Sequence, residues 1–242
     1  MKLLLTSNGL SNESIRRAFA DMLGKPIVDA SALFVATGMY PYAGGPGYAW
    51  RAIAGKAHHP VADLGWKSFG NLELSVLSSI DKDVWQPTVA AADAIFVYGG
   101  DPIFLAYWMR EAGLVISPNT VYVGTSAGSM AASTFIGEMF DEPRRAKGDV
   151  LSTESVVMPE GPITCTYVSA RGLGLVDVSI IPHYCERKPA DAASATNAPV
   201  WAAKIPQPTY AIDDATAIQV IDGKVEVISE GRWKLFSGGT TG

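Results

Sequence analysis

The sequence predicts an α/β fold: a doubly wound, mostly parallel sheet with helices on both faces and a C-terminal antiparallel strand region. Three observations predict it. Short apolar runs recur along the chain, each followed by a turn signal and a helix-like segment, as strands buried on both faces require. The last part of the chain carries closely spaced strand-like runs without helices between them. The chain has 242 residues, 48% hydrophobic and 18% charged, enough for a large core without disulfide or metal staples.

Residues 3–5 form the first run, followed by Ser7-Asn8-Gly9 and an amphipathic stretch over 13–23. Residues 32–36 are a second run and 72–77 a third. Residues 38–70, rich in Gly, Tyr and Trp (Tyr40-Pro41-Tyr42, Gly44-Gly45-Pro46-Gly47), lack a clear period. They read as an irregular insertion within a single domain spanning 1–242. Residues 94–98 end at Gly99-Gly100 and precede a helical pattern reaching Ala112. Val121-Tyr122-Val123 leads into a small-residue segment over 129–133. Residues 142–175, with β-branched, Gly and Pro signals, suit a hairpin beside the sheet. Residues 178–181 form another buried strand, running into Pro182-His183. Strands over 210–212, 217–221, 225–228 and 233–236 follow, with Asp222-Gly223 as a hairpin turn.

The formal charge of −5 supplies no basic field for nucleic acid or an anionic membrane. Two cysteines, Cys165 and Cys185, suit a reducing compartment. The apolar start is too short for a secretion signal, and no run approaches the ~20 residues of a membrane span. A cytoplasmic location is the expectation. No His/Cys/Asp cluster has metal-ligand spacing, so neither metal nor organic cofactor is expected.

The chemistry centres on Gly124-Thr125-Ser126-Ala127-Gly128. A serine at a sharp strand-to-helix turn is exposed at the strand's end, and small neighbours allow close approach. The competing reading is a glycine-rich turn that binds an anion through backbone N–H groups. A serine hydroxyl needs a base. His183 follows a buried strand, which places it at the carboxyl edge with Ser126, whereas His58 and His59 read as solvated residues of the insertion. The acid that orients the histidine is open among Glu138, Asp141, Glu142, Asp149 and Glu154. The Ala127 N–H is one expected oxyanion donor, and the turn Gly99-Gly100-Asp101 is the expected source of a second.

Together these segments resemble the dipeptidase E and cyanophycinase family of serine peptidases, whose fold is related to class I glutamine amidotransferases. The likeness rests on residues 3–12, Tyr98-Gly99-Gly100-Asp101, residues 124–130, Gly172-Leu173-Gly174-Leu175-Val176, Pro182-His183-Tyr184 and residues 212–217. The resemblance implies Ser126 as nucleophile, His183 as base, and Gly100 with Ala127 as oxyanion donors. It also implies an acid about fifteen positions after the serine, which falls on Asp141, with Glu138 open because some relatives use Glu. Two departures stand out. The family's glycine turn continues into Gly and Asn, whereas this chain has Asp101-Pro102, so Asp101 either points away or binds a substrate amine. The arginine of relatives that prefer N-terminal aspartate has no counterpart in residues 190–199; Arg187 and Lys188 are differently placed.

The expected activity is hydrolysis of a peptide or related amide bond in a small substrate through an acyl-enzyme on Ser126. Asp-X dipeptides should be poor substrates, with uncharged or aromatic residues preferred because of Tyr40, Tyr42, Tyr48 and Trp50. The alternatives are an α/β-hydrolase esterase and a non-catalytic ligand-binding member of the fold. Oligomeric state leaves no trace in the sequence.

Overall fold

The computed structural model describes residues 1–57, 59–141, 144, 146–185 and 191–239. Five parallel strands form the body of the main sheet: β1 (Lys2–Thr6), β2 (Ser31–Val35), β3 (Ser68–Asn71), β4 (Ala94–Val97) and β5 (Val121–Thr125). Between them run α1 (Glu13–Leu23), α2 (Gly45–Ile53), α3 (Leu74–Leu77) and α4 (Lys82–Ala90), and α5 (Pro102–Glu111) links β4 to β5. After α6 (Ala127–Ala131) come β6 (Phe135–Phe140), β7 (Val150–Val157), β8 (Thr164–Arg171) and β9 (Ser179–Ile181). The chain then forms α7 (Ala198–Ala202), β10 (Thr209–Ile212), β11 (Thr216–Ile221), β12 (Lys224–Ser229) and β13 (Trp233–Phe236). The main sheet has the order β12-β11-β1-β5-β4-β2-β3. Two smaller sheets have the orders β13-β10-β9 and β6-β8-β7.

Strand alternation divides the core into two layers. Leu3, Leu5, Ile95, Val97 and Tyr122 point into one, with Ile103 and Leu105 of α5 and Trp85 of α4. Leu4, Ala94, Phe96, Val121 and Val123 point into the other, with Ile15, Phe19 and Met22 of α1. Because successive strand residues face opposite ways, a run without polar interruptions is what a sheet covered on both sides demands. Helix ends are marked locally. Asn12 accepts the Ile15 N–H at the start of α1, and Gly24 (φ 69°) closes it in the left-handed conformation.

The C-terminal antiparallel region is present: β11 pairs with β1 and β12 with β11, both antiparallel. Asp222 (φ 49°) and Gly223 (φ 84°) make the tight turn between β11 and β12. The expected hairpin within 142–175 is β7–β8, but it pairs with β6, a strand the sequence reading passed over, in a sheet of its own. Residues 72–77 are not a strand. The strand ends at Asn71, and Glu73 accepts the Ser75 N–H to start a helical turn. The irregular insertion contains α2, whose Gly and Pro opening obscures its periodicity, and most of β3. Among the described residues no helix is long and apolar enough to cross a membrane.

Candidate active site

β5 ends at Thr125, and Ser126 turns the chain into α6 with φ 51° and ψ −112°, a strained backbone for a residue with a side chain. Several bonds hold this turn. The Ser126 N–H donates to the Thr6 carbonyl at 2.9 Å, the Ser129 hydroxyl donates to the same carbonyl at 2.7 Å, and the Tyr122 hydroxyl donates to the Gly128 carbonyl at 2.6 Å. A Cβ on Gly128 would lie 1.9 Å from the Val97 carbonyl oxygen, so α6 can begin this close to β4 only without a side chain there.

His183 Nε2 lies 2.9 Å from Ser126 Oγ, and its Nδ1 lies 2.8 Å from Asp214 Oδ1. With Nδ1–H donating to the carboxylate, Nε2 is left as an acceptor for the serine hydroxyl. His183 itself has φ 59°. Ser7, buried, ties the cluster together: its Oγ accepts the His183 backbone N–H at 2.8 Å and donates to Asp214 Oδ1 at 3.0 Å. The His183 and Asp214 side chains are 50% and 58% exposed, so the pair borders an open cleft rather than a sealed core.

Register explains the convergence. β9 and β10 run parallel with Ile181 beside Ala211, so continuing two or three residues beyond each brings His183 alongside Asp213 and Asp214. The Tyr184 N–H donates to the Ile212 carbonyl and keeps the two segments together. β11 is antiparallel to β1 with Thr6 beside Ala217, which sets Asp214 near Ser7 at the end of β1. The His183 strand thus belongs to a small separate sheet, not to the main parallel sheet that the sequence suggested. It still delivers the imidazole to the carboxyl edge. Asp213, one residue earlier, is committed to the turn: it accepts from the Ala215 N–H, the Thr216 hydroxyl and the Arg232 N–H.

The orienting acid differs from the expectation. Asp141 lines the cleft, but the carboxylate at His183 Nδ1 is that of Asp214. The physical reason is topological: β6 carries Asp141 into the wall of the cleft, while the β10–β11 connection occupies the position behind the imidazole. Glu138 sits on β6, with its Oε2 buried and without a hydrogen-bond partner among the described residues. Burial, with the neighbouring charges of Asp101 and Asp141, pushes its carboxyl well above the usual range. Asp149 pairs with Arg110 and Glu154 with Lys204, away from the imidazole. His59, half-buried, lines the cleft; His58, Glu142, Arg187 and Lys188 lie outside the described residues.

Gly100 and Ala127 line the same cleft as Ser126. Gly100 has φ 115°, and a Cβ there would lie 2.0 Å from the Gly38 carbonyl oxygen, so only glycine fits this turn. Asp101 turns away from the serine. It is buried, accepts the Phe104 N–H as the cap of α5 and pairs with Arg144 at 2.9 Å. Of the two alternatives the sequence left for Asp101, the geometry matches the one in which it points away, paired with Arg144. The cleft encloses about 870 Å³, enough for a dipeptide-sized ligand.

The model of the family described as Peptidase family S51 matches residues 3–228. No curated protein matches the chain. A peptidase from an acI-B1 Actinobacterium superposes with a TM-score of 0.55 at 18% identity, over 98% of this chain and 94% of that one. A Listeria monocytogenes EGD-e protein designated a peptidase E candidate superposes with a TM-score of 0.57 at 17% identity, over 95% of this chain and 98% of that one. At these identities the two structures share the fold.

Proposed function

The chain belongs to peptidase family S51, a family of serine peptidases, and on that premise we propose that it cleaves a peptide or related amide bond in a small substrate through an acyl-enzyme on Ser126. The observation that carries the proposal is the line Ser126–His183–Asp214, with contacts of 2.9 and 2.8 Å. As the Ser126 Oγ–C bond forms, its proton passes to His183 Nε2, and Asp214 stabilises the imidazolium. The backbone N–H groups of Ala127 and Gly100 stabilise the oxyanion. Collapse of the intermediate breaks the C–N bond, and His183 gives its proton to the departing amine. Water then adds to the acyl carbon, its proton going to His183 and back to Ser126 Oγ as the acid leaves.

The order serine, histidine, aspartate along the chain differs from the serine, acid, histidine order of α/β-hydrolases, and four strands follow His183. Both features favour the peptidase over the esterase reading. A content of two cysteines in 242 residues suits a cytoplasmic setting. The test is hydrolysis of dipeptides and aminoacyl arylamides. Ser126→Ala should reduce turnover on the order of 10⁴–10⁶-fold. A variant that kept a tenth of the wild-type rate would remove Ser126 from the mechanism.

A further inference from the structure

Relying on Ser126 as the nucleophile, we propose that the residue whose carbonyl it attacks carries a positively charged side chain, lysine or arginine, seated against Glu138 and Asp141. Among the described residues the cleft wall carries five carboxyl groups, Glu138, Asp141, Asp191, Asp213 and Asp214, and neither Lys nor Arg. Two of these are already engaged, Asp213 in its turn and Asp214 at His183. Asp191 accepts the Ala193 N–H at 2.9 Å. Glu138 and Asp141 remain at the boundary with a second cavity of about 870 Å³, which they also line.

That second cavity has the chemistry of a cation site. Its wall includes Tyr40, Tyr42, Phe104 and Phe140, whose ring faces attract an alkylammonium or guanidinium, while their edges pack on its methylene stem. Its own cation, Arg144, is held by Asp101, with Nε on Oδ2 at 2.9 Å and Nη2 on Oδ1 at 3.1 Å. Apart from the cavity's lining, Glu138 Oε2 is buried and has no hydrogen-bond partner among the described residues. A buried carboxyl oxygen without a donor is costly, and a ligand N–H would satisfy it. The raised proton affinity of Glu138 follows first from burial and then from the nearby charges of Asp101 and Asp141. The same surroundings repel a substrate carboxylate, so the acidic wall opposes Asp-X substrates independently of any absent arginine.

The inference revises the preference that the aromatic residues suggested from sequence: their rings flank a charge rather than stack on an aromatic substrate. It is tested in two ways. Calorimetry with Ser126→Ala compares lysinamide with norleucinamide, which share the α-ammonium and differ at the side-chain end. Steady-state kinetics with the wild type compares Lys, Arg, Leu, Phe and Asp arylamides. Lysinamide should bind on the order of tenfold tighter than norleucinamide, and Lys or Arg arylamides should lead in kcat/KM by a similar factor. Glu138→Gln and Asp141→Asn should each shrink that ratio, and Glu138→Asp should restore part of it. Equal binding of the two amides, or a lead for Leu, Phe or Asp that survives in both variants, overturns the charge assignment. Turnover without a cationic preference defeats this inference and leaves the serine peptidase standing. Tighter lysinamide binding without any turnover upholds the site and defeats the peptidase.

Discussion

Ser126 and His183 both adopt positive φ, 51° and 59°, and each such residue costs on the order of 1–3 kcal/mol that the surrounding bonds must offset. Ser126→Gly should therefore abolish activity while raising stability by about 1 kcal/mol, seen as a higher melting temperature. A loss of stability would show that the turn is relaxed. Asp214 and Asp141 make different predictions. Asp214→Asn removes the acceptor for Nδ1–H and should lower kcat on the order of 10³–10⁴-fold on every substrate. Asp141→Asn should alter substrate preference and leave kcat on the best substrate within about tenfold, since Asp141 does not contact the imidazole. The reverse ranking would return the orienting role to Asp141. Ser7 acts through its neighbours. Ser7→Ala strips the acceptor from the His183 N–H, which should cost about 1–3 kcal/mol of stability and lower kcat with little change in KM.

At the scale of elements, the strand-to-helix turn depends on glycine at one crowded point. Gly128→Ala places a carbon 1.9 Å from the Val97 carbonyl oxygen, so β4 and α6 must separate. The expected result is inactivation with destabilisation of about 1–3 kcal/mol by chemical denaturation; an active, stable variant would contradict the close packing. This turn was legible in the sequence because its signals are local: an apolar strand, a glycine-flanked serine and a run of small residues. His183 was legible for the same reason, lying just beyond a buried strand. Asp214 was not, although the segment holding it was noticed. Its position follows from a parallel pairing of β9 with β10 and an antiparallel pairing of β11 with β1, both long-range. Asp214 also follows the histidine in the chain, outside the stretch between Ser126 and His183 that holds the other candidate acids. The core strands β1, β2, β4 and β5 and the Asp222-Gly223 hairpin could be read directly, whereas β3, at the end of the segment without a clear period, could not. The distribution of the remaining strands among three sheets could not, because strand-like residues do not name their partners.

For the whole molecule, acidity concentrated in one cleft has a consequence for stability. Glu138 holds its proton to a pH well above its ordinary 4.5. Between that value and the folded-state pKa the native protein binds more protons than the unfolded chain, so this group makes stability fall as pH rises. The melting-temperature advantage of Glu138→Gln over wild type should accordingly grow from about pH 5 upward; a constant difference would mean that Glu138 is not held protonated. The same fold brings β1, β4 and β5 together at their carboxyl ends, where Ser7, Gly100 and Ser126 meet, and adds His183 and Asp214 from the second sheet and its connection. The proposed hydrolysis depends on Ser126 being an activated nucleophile there. Incubation with a fluorophosphonate, followed by peptide mapping by mass spectrometry, tests that most directly. A single adduct on Ser126, formed far more slowly when His183 is replaced by alanine, is the predicted result. An unmodified protein, or an adduct at another residue, would contradict it.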